Sequence, residues 1–181
     1  MSLPNLITLA RILSVPILVW AIAANEMAFA FVLFVAAGIS DAVDGFLAKR
    51  FGMKSELGAY LDPLADKVLI VSIYVALGIS GAVPRWLVIL VVSRDLMIVG
   101  AVMLSWLVGK PVTVRPLVIS KLNTVAQIVF AGLVLASLGL HFEPGPLLPA
   151  VMAVVAALTL LSVAAYVREW VRHMGANGAP R

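Results

Sequence analysis

Long apolar runs alternate along the chain with short clusters of charge, proline and glycine. Read between those breaks, the runs predict six helices over 5–24, 27–49, 56–80, 85–108, 115–140 and 146–171. A hydrocarbon layer about 30 Å thick needs roughly 20 apolar residues of helix, and each run is of that order. The third and fifth runs carry internal charges, so hydropathy alone ranks them weakly. With no internal repeat and no low-complexity linker, residues 1–181 read as one all-α integral membrane domain of six transmembrane helices.

Composition sharpens the environment. Of 181 residues, 63% are hydrophobic and 12% charged, with a mean hydropathy of +1.12. Soluble domains run nearer about 45–50% apolar and about 25% charged, so the balance points to a membrane. The absence of cysteine excludes disulfides and thiolate metal sites. The net charge of +4 does not indicate nucleic acid, because the basic residues lie between the apolar runs and so report topology. Lys49, Arg50, Lys54, Lys110, Arg115, Arg168, Arg172 and Arg181 fall on one side, and Arg85 on the other. That asymmetry predicts both termini in the cytoplasm. Trp20, Trp86, Trp106 and Trp170 fall near span ends, where an amphipathic indole anchors at the interface. The first run has no basic leader and no clear small-residue cleavage site before Glu26, which predicts a retained span. The compact chain, with no targeting segment, fits a prokaryotic cytoplasmic membrane.

Charge inside an apolar span is costly and therefore marks function. Four of the nine acidic residues, Asp41, Asp44, Asp62 and Asp66, fall near the cytoplasmic ends of the second and third predicted helices. Asp41 and Asp44 are spaced i, i+3, with Gly45 and Ala48 on the same stripe. Asp62 and Asp66 are spaced i, i+4, with Gly58 one turn earlier. Such spacings place each pair on one side of its helix, and a short basic loop lets the two stripes face each other. Four carboxylates meeting at one point repel unless cations neutralise them. Oxygen-only donors suit hard ions such as Mg²⁺ or Mn²⁺, and four carboxylates can bridge two such ions around a phosphoryl group. Gly45, Ala48 and Gly58 leave room for close approach of a ligand, and Lys49, Arg50 and Lys54 stand beside the stripe as phosphate partners. Any one aspartate is also readable as a helix cap or as half of an ion pair with Lys49 or Lys67; all four together, with small residues on the same stripes, argue for a site.

The run Asp41-Ala-Val-Asp44-Gly45-Phe-Leu-Ala48-Lys49, followed by Gly58-x3-Asp62-x3-Asp66, resembles the signature of the CDP-alcohol phosphatidyltransferase family. A looser likeness extends from Pro4-Asn5-Leu-Ile-Thr8-Leu-Ala-Arg11 to the fifth helix. Where the family pattern has arginine after the alanine, this chain has Lys49 and then Arg50. The resemblance implies a six-helix fold, a homodimer, a cavity open to the cytoplasmic leaflet, and two divalent metal ions. It implies metal ligation by Asp41, Asp44 and Asp62, with Asp66 as metal neighbour and general base. It also implies a cytidine diphosphate pocket lined by Gly45, Ala48 and Gly58, with Lys49, Arg50, Asn5 and Thr8 as further binding candidates. The implied reaction is transfer of a phosphatidyl group from CDP-diacylglycerol to an alcohol, releasing CMP.

The acceptor is read from the fourth and fifth helices. Ser120, Thr124 and Gln127 share one helical face, with Asn123 beside it, and a polar stripe entering a span should face the bundle cavity or pack helices by hydrogen bonds. Arg115 and Lys121 are candidates for an acceptor phosphate, as are Arg11 and Arg94, although a structural ion pair is the preferred reading of the last two. Arg94 and Asp95, being adjacent, are expected to find separate partners. The runs Ser93-Arg94-Asp95-Leu-Met-Ile-Val and Ile-Ser120-Lys121-Leu-Asn123-Thr124-Val-Ala-Gln127 are most similar to the cardiolipin-synthase branch, which joins phosphatidylglycerol to CDP-diacylglycerol. Phosphatidylglycerophosphate synthesis from glycerol 3-phosphate is the alternative. An ion-coupled transporter would place its carboxylates near the bilayer midplane within an inverted repeat, and neither feature is visible. A non-catalytic scaffold would not need all four aspartates, and hydrolysis would use water as acceptor.

Overall fold

The structure is a computed structural model describing residues 3–50, 56–107 and 118–176, with side chains over 7–43, 45–46, 65–100 and 118–169. Lys54, Lys110, Arg115 and Arg181 lie outside the described residues. Six helices follow one another: α1 Leu3–Ala23, α2 Met27–Arg50, α3 Glu56–Ile79, α4 Arg85–Leu107, α5 Val118–Gly139 and α6 Leu147–Ala176. Their bounds sit close to the hydropathy breaks. The exception is α6, which continues past the expected end at 171, since neither glycine nor proline interrupts it between Ala150 and Met174.

Local chemistry ends the helices where the apolar runs end. After α1, Asn25 takes a left-handed conformation (φ 61°). Its amide donates to the Ile22 carbonyl at 3.0 Å, and the Glu26 amide donates to the Ala21 carbonyl at 2.8 Å. That paired closure satisfies carbonyls which the helix leaves open, and asparagine tolerates the left-handed backbone it requires. The far end of α5 meets the start of α2 backbone to backbone. A Cβ on Gly139 would lie 2.8 Å from the Ala28 amide nitrogen, so only glycine permits this approach.

Helix α3 is the hub, packing against α1, α4 and α5; α2 bridges α1 and α5, and α6 covers α4 and α5. The core joins Leu18 and Ile22 of α1 to Ile73, Tyr74 and Leu77 of α3, with Leu87 of α4 and Leu135 of α5. Outside this core the surface stays apolar. Leu13, Val32, Ile39, Ile89, Val125 and Leu160 stand exposed on five different helices. A soluble protein rarely exposes so much aliphatic surface, whereas hydrocarbon would cover it. Among the described residues, two stretches are long and apolar enough to cross a membrane, Val118–Gly139 and Leu147–Glu169, with mean hydropathies of 1.7 and 2.4. Ile7–Ala23 and Met27–Val43 are shorter apolar stretches. The strength of α5 corrects the expectation that its charge would weaken it, because Lys121 is the single charged residue between Val118 and Gly139.

Candidate active site

Helix α1 delivers two polar side chains inward, Thr8 and Arg11, spaced i, i+3 on one face and both buried. The Arg11 guanidinium reaches between α2 and α3. Its Nη1 donates to Asp41 Oδ1 at 2.7 Å and to Asp66 Oδ1 at 3.0 Å. The arginine side chain is 1% exposed, while the two carboxylates remain 49% and 44% exposed. The first aspartate of one stripe and the last of the other therefore converge on one buried cation, with their outer faces open. Lys67, one alternative partner for these aspartates, turns instead to Asp95, and the Lys49 side chain lies outside the described residues; the cation described at Asp41 and Asp66 is Arg11, the only charged residue of α1. An arginine reaches both carboxylates because its planar fork presents several donors at the end of a long stem.

A cavity of about 80 Å³ opens beside this meeting point, lined by Arg11 of α1, Gly38 and Asp41 of α2, Asp66 and Ile70 of α3, and Thr124 of α5. Asp44 and Ala48 lie further along α2 and Asp62 and Gly58 earlier on α3, so the helices carry all four aspartates toward one end of the bundle. The side chains of Asn5, Asp44, Ala48, Lys49, Arg50, Gly58 and Asp62 lie outside the described set. Gly45 is described: a Cβ built there would meet nothing within 4 Å among the described residues. Among the described residues no three carboxylate or imidazole groups cluster closely enough to hold a metal ion. The donor set still fits a hard divalent cation, since Asp41 and Asp66 bring carboxylate oxygens to one point beside a cavity and already draw a positive charge between them.

A second polar cluster lies inside the bundle, on the other flank of α3. Arg94, 1% exposed, donates from Nε to Ser162 Oγ at 3.1 Å and from Nη1 to Asp95 Oδ1 at 2.5 Å. Its Nη2 bonds Ser162 and Ser120, and Tyr166 stacks with its ring centroid 5.9 Å from the guanidinium carbon. Lys67 Nζ donates to the same Asp95 oxygen at 2.6 Å. Arg94 and Asp95 thus each have the separate partner expected, in Ser162 and Lys67, and in addition they meet each other, which corrects the expectation that adjacent residues of a helix cannot. Their Cα–Cβ bonds diverge around the helix, but the arginine stem is long enough to bring its fork back to the neighbouring carboxylate. As placed, the Arg94 guanidinium is engaged by α4, α5 and α6, the arrangement of a structural pair, while Lys121 is exposed on α5.

The polar stripe of α5 divides between two duties. Thr124 lines the cavity, whereas Asn123 Oδ1 accepts from Thr159 Oγ1 at 2.9 Å; Tyr74 Oη donates to the backbone carbonyl of Gln127 at 3.1 Å, and the buried Gln127 side-chain amide makes no hydrogen bond among the described residues. Thr159 and Ser162 had not been singled out from the sequence. Their signal is a pair of hydroxyls spaced i, i+3 within an otherwise apolar helix.

The sequence of this chain matches the model of the CDP-alcohol phosphatidyltransferase family over residues 1–168. The chain belongs to that family. It is 35% identical over 185 residues to a protein named "Probable phosphatidylglycerophosphate synthase" of Mycobacterium tuberculosis H37Rv, covering 96% of this chain and 84% of that one. It is 34% identical over 152 residues to the cardiolipin synthase (CMP-forming) of Rattus norvegicus, covering 75% of this chain and 50% of that one. It is also 38% identical over 146 residues to a chloroplastic CDP-diacylglycerol–glycerol-3-phosphate 3-phosphatidyltransferase of Oryza sativa, covering 71% and 44%. CDP-alcohol phosphatidyltransferases are membrane-embedded transferases, which accounts for the aliphatic outer surface and for carboxylates drawn to one end of the bundle. This member is accordingly a membrane protein and a phosphatidyltransferase.

Proposed function

We propose that this CDP-alcohol phosphatidyltransferase transfers the phosphatidyl group of CDP-diacylglycerol to phosphatidylglycerol, giving cardiolipin and CMP. The observation that carries the reading is the convergence of Asp41 and Asp66 at a cavity between α1, α2, α3 and α5. Asp41, Asp44 and Asp62 are assigned as ligands to two divalent ions, Mg²⁺ or Mn²⁺, with Asp66 at their edge. Held there, such a pair supplies Lewis-acid polarisation of the pyrophosphate. Asp66, 44% exposed toward the cavity side, takes the proton of the acceptor hydroxyl. The freed oxygen attacks the lipid-bearing phosphorus, a new P–O bond forms, and the bond to CMP breaks with its electron pair leaving on CMP. Gly45, Ala48 and Gly58 admit the cytidine diphosphate, and Lys49, Arg50, Asn5 and Thr8 hold it.

Six spans and cytoplasmic termini complete the proposal. Every helix is 21 to 30 residues long, and a rise of about 1.5 Å per residue makes even the shortest sufficient for a layer about 30 Å thick. The exposed Trp20 and Trp86 stand near the end of α1 and the start of α4, which suits a common interface on the side opposite the aspartates. A homodimer is part of the same reading.

The acceptor rests on the runs 93–99 and 119–127, which resemble the cardiolipin-synthase branch, and on similarity to the Rattus norvegicus enzyme. The greater coverage of the Mycobacterium tuberculosis relative favours a second reading, with glycerol 3-phosphate as acceptor. One assay separates them: CMP release by purified protein given CDP-diacylglycerol and Mg²⁺, with each acceptor supplied separately. Release with phosphatidylglycerol alone supports cardiolipin synthesis; release with glycerol 3-phosphate alone moves the enzyme to the second reading. No release with either removes both.

A further inference from the structure

The Arg11 guanidinium, buried under α2 and α3, donates from Nη1 to one oxygen each of Asp41 and Asp66. Both oxygens belong to carboxylates assigned above to the metal pair. Arginine cannot shed its charge at any working pH. A divalent cation approaching these oxygens, which Mg²⁺ contacts at about 2.0–2.1 Å, therefore meets a permanent positive charge bonded to the same atoms. With the guanidinium side walled from water, that repulsion is poorly screened.

We propose that Arg11 is a built-in competitor for the divalent cation. It holds Asp41 and Asp66 together and lowers their affinity for metal. It gives way when the pyrophosphate of the donor supplies it with another anion. Arg11 is itself part of the cavity wall, so a phosphate held in the cavity would lie beside its side chain, with the guanidinium one carboxylate shell away. Metal and nucleotide binding then favour each other, as linkage requires of any such pair. The inference rests on reading Asp41 and Asp66 as metal neighbours. A purely structural arginine predicts the opposite sign, since removing it would loosen the site and weaken metal binding.

Titration of the purified full-length protein with Mn²⁺, following free ion by electron paramagnetic resonance without lipid, tests the proposal. Arg11→Met keeps an unbranched apolar stem and removes the charge; it should bind Mn²⁺ about tenfold more tightly than the unsubstituted protein. Arg11→Lys should stay near the unsubstituted value. Added CDP should tighten Mn²⁺ binding to the unsubstituted protein by a larger factor than to Arg11→Met. In EDTA, Arg11→Met should melt lower, and Mn²⁺ should raise its melting temperature by more. Equal or weaker Mn²⁺ binding by Arg11→Met overturns the proposal while leaving the metal assignment standing, because the unsubstituted protein still binds. Absence of Mn²⁺ binding in every form removes the metal assignment itself, and the proposal with it. If Arg11→Met folds only when Mn²⁺ is supplied, the competition is supported; if Mn²⁺ does not recover it, the proposal falls.

Discussion

Asp95 accepts a hydrogen bond from Lys67 at 2.6 Å, and that single contact ties α4 to the turn of α3 that carries Asp66. Lys67 and Asp66 are consecutive, so they project to different flanks of the helix. Asp66 meets Arg11, which it shares with Asp41 of α2; Lys67 meets the buried Arg94–Asp95 pair. Helix α3 is thus held on both sides by charge, within a bundle whose core is otherwise mostly apolar.

This arrangement makes Asp95 a stability determinant. Asp95→Ala leaves Arg94, 1% exposed, with its serine partners but without its buried counter-charge. Breaking a buried pair by removing one partner typically costs about 3–5 kcal/mol. Thermal unfolding in detergent should show a large drop in melting temperature for Asp95→Ala. Lys67→Met should show a smaller one, since that side chain is 32% exposed. A melting temperature unchanged in Asp95→Ala would contradict the structural role.

The sequence made the helices legible because hydropathy and turn residues mark the same boundaries. It made the aspartate stripes legible because i, i+3 and i, i+4 spacing has only one helical meaning. It did not reveal which cation joins them. Lys67 is near in sequence, yet among the described residues Arg11 is the cation that joins Asp41 and Asp66, because α1 packs on α2 and α3, a tertiary fact without local signature. The Arg94–Asp95 contact was missed for a related reason: helical spacing describes where side chains start, whereas a four-bond stem decides where a guanidinium ends. Thr159 and Ser162 were overlooked because hydroxyls in a span also occur with no partner but their own backbone.

Two glycines separate folding from ligand binding. Gly139→Ala places a Cβ 2.8 Å from the Ala28 amide nitrogen, so α5 and α2 must move apart. Overpacking of this kind costs about 1–3 kcal/mol. Gly45→Ala meets nothing within 4 Å and replaces glycine by a better helix former, which is worth up to about 1 kcal/mol. The melting temperature should fall for Gly139→Ala and hold or rise for Gly45→Ala. If Gly45 admits the cytidine diphosphate, its variant should nonetheless need more CDP-diacylglycerol to reach half-maximal rate. Unchanged KM in Gly45→Ala would remove Gly45 from the pocket.

Chelation tests the donor set as a whole. Treatment with EDTA should silence CMP release, and Mg²⁺ or Mn²⁺ should restore it, since only oxygen donors are available and these favour hard cations. Full activity after exhaustive chelation would mean that Arg11 and the basic residues alone neutralise the pyrophosphate.

Asp62→Asn and Asp66→Asn should part company on binding. If Asp62 is a ligand, its amide variant weakens Mn²⁺ binding and turnover together. If Asp66 is the base, Asp66→Asn preserves most of the binding and loses the proton acceptor, a loss of about 10²–10⁴ in rate. Asp66→Asn also leaves Arg11 its contact to Asp41 at 2.7 Å, so the fold should survive and the rate change can be read without correction for unfolded protein. Mn²⁺ binding and CMP release measured on the same preparations decide the matter. Near-normal turnover in Asp66→Asn would take the base role away from it, whereas equal loss of metal binding in both variants would make Asp66 a ligand like the other three.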